Sequence, residues 1–70
     1  MKEVYKSSKM VKYETDKGNT IEIYNQRIGG KKFWFIGVVT KKKIYNVKHD
    51  FTNKAEAIEY AKKLIVRHKI

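Results

Sequence analysis

From Met10 the chain alternates, with Val11 and Tyr13 falling on one side and Lys12 and Glu14 on the other. Thr20 to Gln26 alternates again, Ile21 and Ile23 against Glu22 and Tyr24. A period of two marks a strand with one face toward a core, so these segments are two strands. Lys31-Lys32-Phe33-Trp34-Phe35-Ile36-Gly37-Val38-Val39-Thr40 is apolar at nearly every position, rich in β-branched and aromatic residues, and reads as a central strand covered on both faces. Ile44 to His49 makes a fourth strand. Beyond Asp50 the period lengthens. Ala57, Ile58, Ala61, Leu64, Ile65 and His68 recur at helical spacing and form one apolar stripe. Asn53 with Glu56 fits a capping box, with Thr52 as the alternative N-cap. Acidic Glu56 and Glu59 near the start and basic Lys62, Lys63, Arg67 and Lys69 near the end complement the helix dipole. Met1 to Ser8 has no clean period and reads as a flexible arm or a short edge segment.

The turns fix how these elements meet. Gly29-Gly30 is a strong two-residue hairpin signal, and it sets Ile23 opposite Ile36, Ile21 opposite Val38 and Asn25 opposite Trp34. A two-residue loop at Lys41-Lys42 sets Val38 opposite Tyr45, Ile36 opposite Val47 and Trp34 opposite His49. A three-residue loop Lys17-Gly18-Asn19 places Tyr13 beside Ile23. The prediction is an α+β domain over residues 1–70: a four-stranded antiparallel meander with one C-terminal helix packed on one face, ββββα. Trp34, Ile36, Val38, Ile21, Ile23, Val47 and Tyr45 then share the face under the helix. Tyr24, Phe33, Phe35 and Val39 share the other, with Lys12, Gln26, Asn46 and Lys48 around them. One helix cannot cover both sides, and Gly37 would let a ligand approach the bare one.

Charge gives that second face a direction. The sequence holds 17 Lys and Arg against 7 Asp and Glu, a formal net charge of +10. In a chain of 70 residues this is a strong positive field, which attracts polyanions. All the basic residues but Arg27 and Arg67 are Lys, which favours sequence-independent phosphate contact over bidentate reading of guanine. Aromatic rings interleaved with Lys on an open sheet are what a single-stranded nucleic-acid platform needs: bases stack while ammonium groups hold the backbone. The expected binding residues are Lys12, Tyr24, Arg27, Lys31, Lys32, Phe33, Phe35, Lys41, Lys42, Lys43 and Lys48. Lys41, Lys42 and Lys43 stand in one loop, where adjacent ammonium groups repel and need solvent or an anion. The expected partner is nucleic acid, DNA ahead of RNA, with a homodimer through the apolar face as a compatible arrangement. The alternative, from another class, is a protein-interaction module such as a small phage or plasmid inhibitor docking on an acidic partner.

Other chemistries find little footing. With no Cys there is neither a disulfide framework nor a thiolate zinc site, and no cofactor motif or signal peptide appears. No run approaches the ~18 apolar residues of a membrane span, so the protein is expected to be soluble and cytoplasmic. Enzymatic activity is not expected. His49 and Asp50 adjoin along a strand and point to opposite faces, and His68 belongs to the helix stripe as a partly buried or end residue. His49 would be the general base of a small basic ribonuclease.

Phe51-Thr52-Asn53-Lys54-Ala55-Glu56-Ala57-Ile58 resembles the segment that opens the helix in the N-terminal arm-type DNA-binding domains of tyrosine recombinases. Those domains also set a small antiparallel sheet before such a helix. The resemblance implies duplex DNA bound through the sheet, with Lys12, Tyr24, Phe35 and Lys48 entering a groove.

Overall fold

Gly29 and Gly30 both take positive φ, 58° and 79°. This backbone suits the right-handed twist of a tight hairpin and is inexpensive only for glycine. The two longest strands extend from it, β3 (Thr20–Ile28) and β4 (Lys31–Val39), paired in the register expected: Ile23 with Ile36, Ile21 with Val38, Asn25 with Trp34. The computed structural model describes residues 1–47 and 50–70. Around the central pair lie β1 (Lys2–Lys6), β2 (Met10–Glu14) and β5 (Ile44–Asn46), in the order β1-β2-β3-β4-β5, every pair antiparallel. Helix α1 (Lys54–His68) follows and packs across β3 and β4.

The sheet therefore has five strands rather than four. The additional one is β1, an exposed edge strand whose register shifts between Glu3 and Tyr5, where a bulge breaks the alternation that would mark a strand. Ser7 closes the β1–β2 turn: its N–H donates to the Met10 carbonyl at 2.8 Å, and its Oγ accepts from the Met10 and Lys9 N–H groups.

Two registers differ from expectation. Val11 pairs with Ile23 and Tyr13 with Ile21, because the β2–β3 loop spans Thr15 to Asn19. Buried Thr15 organises that loop, its Oγ1 accepting from the Asn19 N–H at 3.2 Å and donating to the Ile70 carbonyl at 2.7 Å. The change is an even number of residues, so no side chain switches face. The Lys41-Lys42 turn does set Val38 opposite Tyr45, and the Val47 N–H donates to the Ile36 carbonyl at 2.9 Å. Trp34, however, pairs with Phe51, exchanging main-chain bonds of 2.6 and 3.0 Å. Of the fourth strand expected over Ile44 to His49, β5 covers Ile44–Asn46 and Val47 lies beyond it, while Lys48 and His49 are outside the described residues.

Val11, Ile21, Ile23, Ile36 and Val38 are fully buried beneath Ala57 and Ala61 of α1, with Trp34, Tyr45, Val47, Phe51, Ile58, Leu64 and Ile65 packed around them. Each such aliphatic side chain contributes about 1.5–3 kcal/mol of transfer free energy. Small residues at the helix contact let its axis approach the sheet closely. Asn53 is the N-cap, accepting from the Ala55 N–H at 2.7 Å. At the other end Lys69 adopts the left-handed conformation (φ 52°), and the Ile70 N–H reaches back to the Ile65 carbonyl at 3.1 Å, closing the helix in a Schellman-type cap that buries Ile70. His68 continues the stripe by spacing but is exposed, so it is an end residue and not part of the core.

Candidate nucleic-acid interface

The helix covers one face of the sheet, and the side chains at even positions of β3 and odd positions of β4 point to the other. Tyr24 and Phe35 face each other across the strands there, ring centroids 5.7 Å apart and planes 29° from parallel. Phe33 lies next along β4, opposite Gln26, with Lys31 Nζ 5.6 Å from its ring centre. These three rings are half-buried. Val39, Met10 and Ile44 extend the apolar surface, Ile44 being 74% exposed.

Lys12 belongs to this face, but its ammonium is already engaged. It sits 3.3 Å from Glu22 and over the Tyr5 ring at 5.7 Å. The register explains this: Lys12 lies directly opposite Glu22 rather than opposite Tyr24, as the three-residue loop would have had it. A half-exposed pair of this kind is worth at most ~1 kcal/mol, so Lys12 remains exchangeable toward a phosphate. The space above Gly37 is not open to a ligand. A methyl group built there would stand 3.3 Å from Asn46 Oδ1 and 3.7 Å from Glu22 Oε1, so those side chains occupy the approach.

The remaining predicted cations divide into two groups. Arg27 and Lys32 pair across the hairpin on the helix side of the sheet. Lys32 and Lys54 flank Trp34, 6.0 and 5.6 Å from its ring centre. Lys41, Lys42 and Lys43 form an exposed turn at the far end of β4, about 30 Å from the hairpin tip by strand length. Thr40 holds that turn, its Oγ1 accepting from the Lys42 and Lys43 N–H groups at 3.3 and 3.1 Å. Lys43 Nζ lies 5.1 Å from the Tyr45 ring centre. Lys48 and His49, the latter as partner of Trp34 or as a general base, lie outside the described residues.

Three features fall outside the expected set of binding residues. Tyr5 joins the open face from β1. Lys9 joins Arg27 and Lys32 through the β1–β2 turn. The third was legible: between Ile23 and His49 the chain has no Asp or Glu, so the hairpin, β4 and β5 carry cations without intrinsic counter-charge. Among the described residues no group of three or more His, Asp or Glu is placed to hold a metal ion, and no helix is long and apolar enough to cross a membrane. Tyr13 has its phenol pKa raised, by burial first and by the neighbouring Glu3 carboxylate second.

Comparison with protein-family models, with curated proteins and with solved structures finds no match.

Proposed function

We propose that the protein is a small nucleic-acid-binding module without catalytic activity. Bases stack on Tyr24, Phe33 and Phe35 of the helix-free face, and Lys side chains around the sheet hold the phosphates, largely without regard to sequence. The observation that carries this is the Tyr24–Phe35 stack on the uncovered face of a chain with net charge +10. Every base has a π-face, so such rings bind strands of any sequence at about 1–3 kcal/mol per stacked base. Lys31 beside Phe33 adds a cation at the edge of the platform.

The test is a salt series with labelled single- and double-stranded oligonucleotides of DNA and RNA. Binding through phosphates appears as a linear fall of log K with log salt. Failure to bind either strand form at ~0.15 M salt would remove the proposal. A second reading is favoured by Ile44, exposed on the same face beside Val39: this apolar margin suits a second protomer, and sedimentation at varied protein concentration decides it.

A further inference from the structure

β2 ends its pairing with β3 at Met10 opposite Tyr24, so from Asn25 onward β3 has β4 on one edge and none of β2 on the other. The β1–β2 turn folds against that bare edge. Asn25 holds it there, donating its N–H to the Lys9 carbonyl at 3.0 Å and its side-chain amide to the Ser8 carbonyl at 3.2 Å. Between turn and strand lies a cleft of about 400 Å³, lined by Ser8, Lys9, Asn25, Gln26, Arg27 and Lys32. Three of these are cations and none is a carboxylate.

Arg27 and Lys32 stand directly opposite one another across the hairpin, both exposed, and among the described residues neither has a carboxylate within 4.0 Å. Like charges placed this way oppose strand pairing, and an anion between them turns the repulsion into attraction. The main chain adds a donor. Since Asn25 directs its N–H outward to the turn, antiparallel alternation directs that of Arg27, two residues on, the same way. The cleft also straddles the sheet edge: Gln26 belongs to the aromatic face and Arg27 to the helix side.

We propose that this cleft is a phosphate site for the bound nucleic-acid strand. Resting on the nucleic-acid reading above, the inference adds a path: the strand leaves the rings of Tyr24 and Phe33, turns around the edge of β3 and sets a phosphodiester among Lys9, Arg27 and Lys32.

Two triple variants separate this from general electrostatics. Lys9→Gln with Arg27→Gln and Lys32→Gln empties the cleft. Lys62→Gln with Lys63→Gln and Arg67→Gln removes the same charge from exposed positions of α1. Each is titrated against a labelled thymidine oligonucleotide of about 12 nucleotides over ~0.05–0.3 M salt. At roughly 0.7 per phosphate contact on single strands, the cleft variant loses about 0.7 from the log–log slope, the share of the one phosphodiester it holds, and the helix variant stays within ~0.2 of the parent. Arg27→Gln alone loses part of that, less than about 0.7. Equal losses in the two triple variants, or a parental slope in the cleft variant, would overturn the site. A parent chain that binds no oligonucleotide removes the nucleic-acid reading itself, and the cleft with it. Both variants are checked by thermal melting, in which the cleft variant melts no lower than the parent because the Arg27–Lys32 repulsion is gone.

Discussion

Phe35 and Ile36 are neighbours in β4 that face opposite sides of the sheet, and substituting each separates binding from folding. Ile36 is fully buried under the helix. Ile36→Val removes one methyl group there and costs about 0.5–1.5 kcal/mol of stability. Phe35 is half-buried against Tyr24 on the uncovered face. Phe35→Ala loses the ring pair, about 0.5–1.5 kcal/mol, with up to ~1 kcal/mol more from the lower strand preference of Ala. The two destabilisations therefore overlap, about 2–12 °C in melting temperature for Ile36→Val and about 2–20 °C for Phe35→Ala at roughly 4–8 °C per kcal/mol for a domain of this size. Their affinities for single-stranded DNA should part. Loss of one stacking position weakens binding by ~1–3 kcal/mol, a factor of about 5 to 150 in Kd, for Phe35→Ala. Ile36→Val touches no surface and keeps the parental value. Fluorescence polarisation below both melting temperatures reads the difference. Equal affinities in two folded variants would show that the aromatic face is not where bases bind. A loss of more than about 3 kcal/mol for Phe35→Ala, the range of a core Phe→Ala change, would place Phe35 in the core.

Three further outcomes are expected. Replacing Lys41, Lys42 and Lys43 together by Ala lowers the salt slope on duplex DNA, by about 0.9 for each phosphate the turn contacts; an unchanged slope takes this turn out of the interface. Lys69→Gly relieves a left-handed residue that carries a Cβ, stabilising the chain by up to about 1 kcal/mol in a urea melt; a loss of stability would mean that the Lys69 side chain contributes more than its backbone costs. The raised phenol pKa of Tyr13 means that the unfolded chain releases that proton at lower pH than the folded one. Its stabilising share is whole below pH ~10 and is lost as pH rises through the folded value, so Tyr13→Phe should make melting less sensitive to pH above 10, and an identical pH profile refutes it.

The parts of the fold legible in the sequence are those where one local signal dictates geometry. Gly29-Gly30 sets the central register, the Lys41-Lys42 turn sets β5 against β4, and Asn53 starts the helix. What escaped depends on side chains meeting from afar. The Thr15 hydroxyl lengthens the β2–β3 loop by bonding across it and to the Ile70 carbonyl, which no local pattern announces. β1 hides behind its bulge, and with it the turn that brings Lys9 to Arg27 and Lys32. For the site, parity sufficed to sort Tyr24, Phe33 and Phe35 onto one face. It could not foretell that Glu22 would engage Lys12, because that pairing depends on the loop length.

Strand order equal to chain order also governs assembly in time. Each strand finds its partner in the segment just made, so the loops closed at every step are short and lose little entropy. The hairpin closed by Gly29 and Gly30 can form first, on a timescale of about 1–10 μs, with neighbours added outward on both sides. The slow, distant event is the docking of α1, whose last turn must reach Thr15 and Asn19 near the opposite end of the sequence. Substitutions in the glycine turn should therefore retard folding, whereas those around Ile70 should chiefly hasten unfolding.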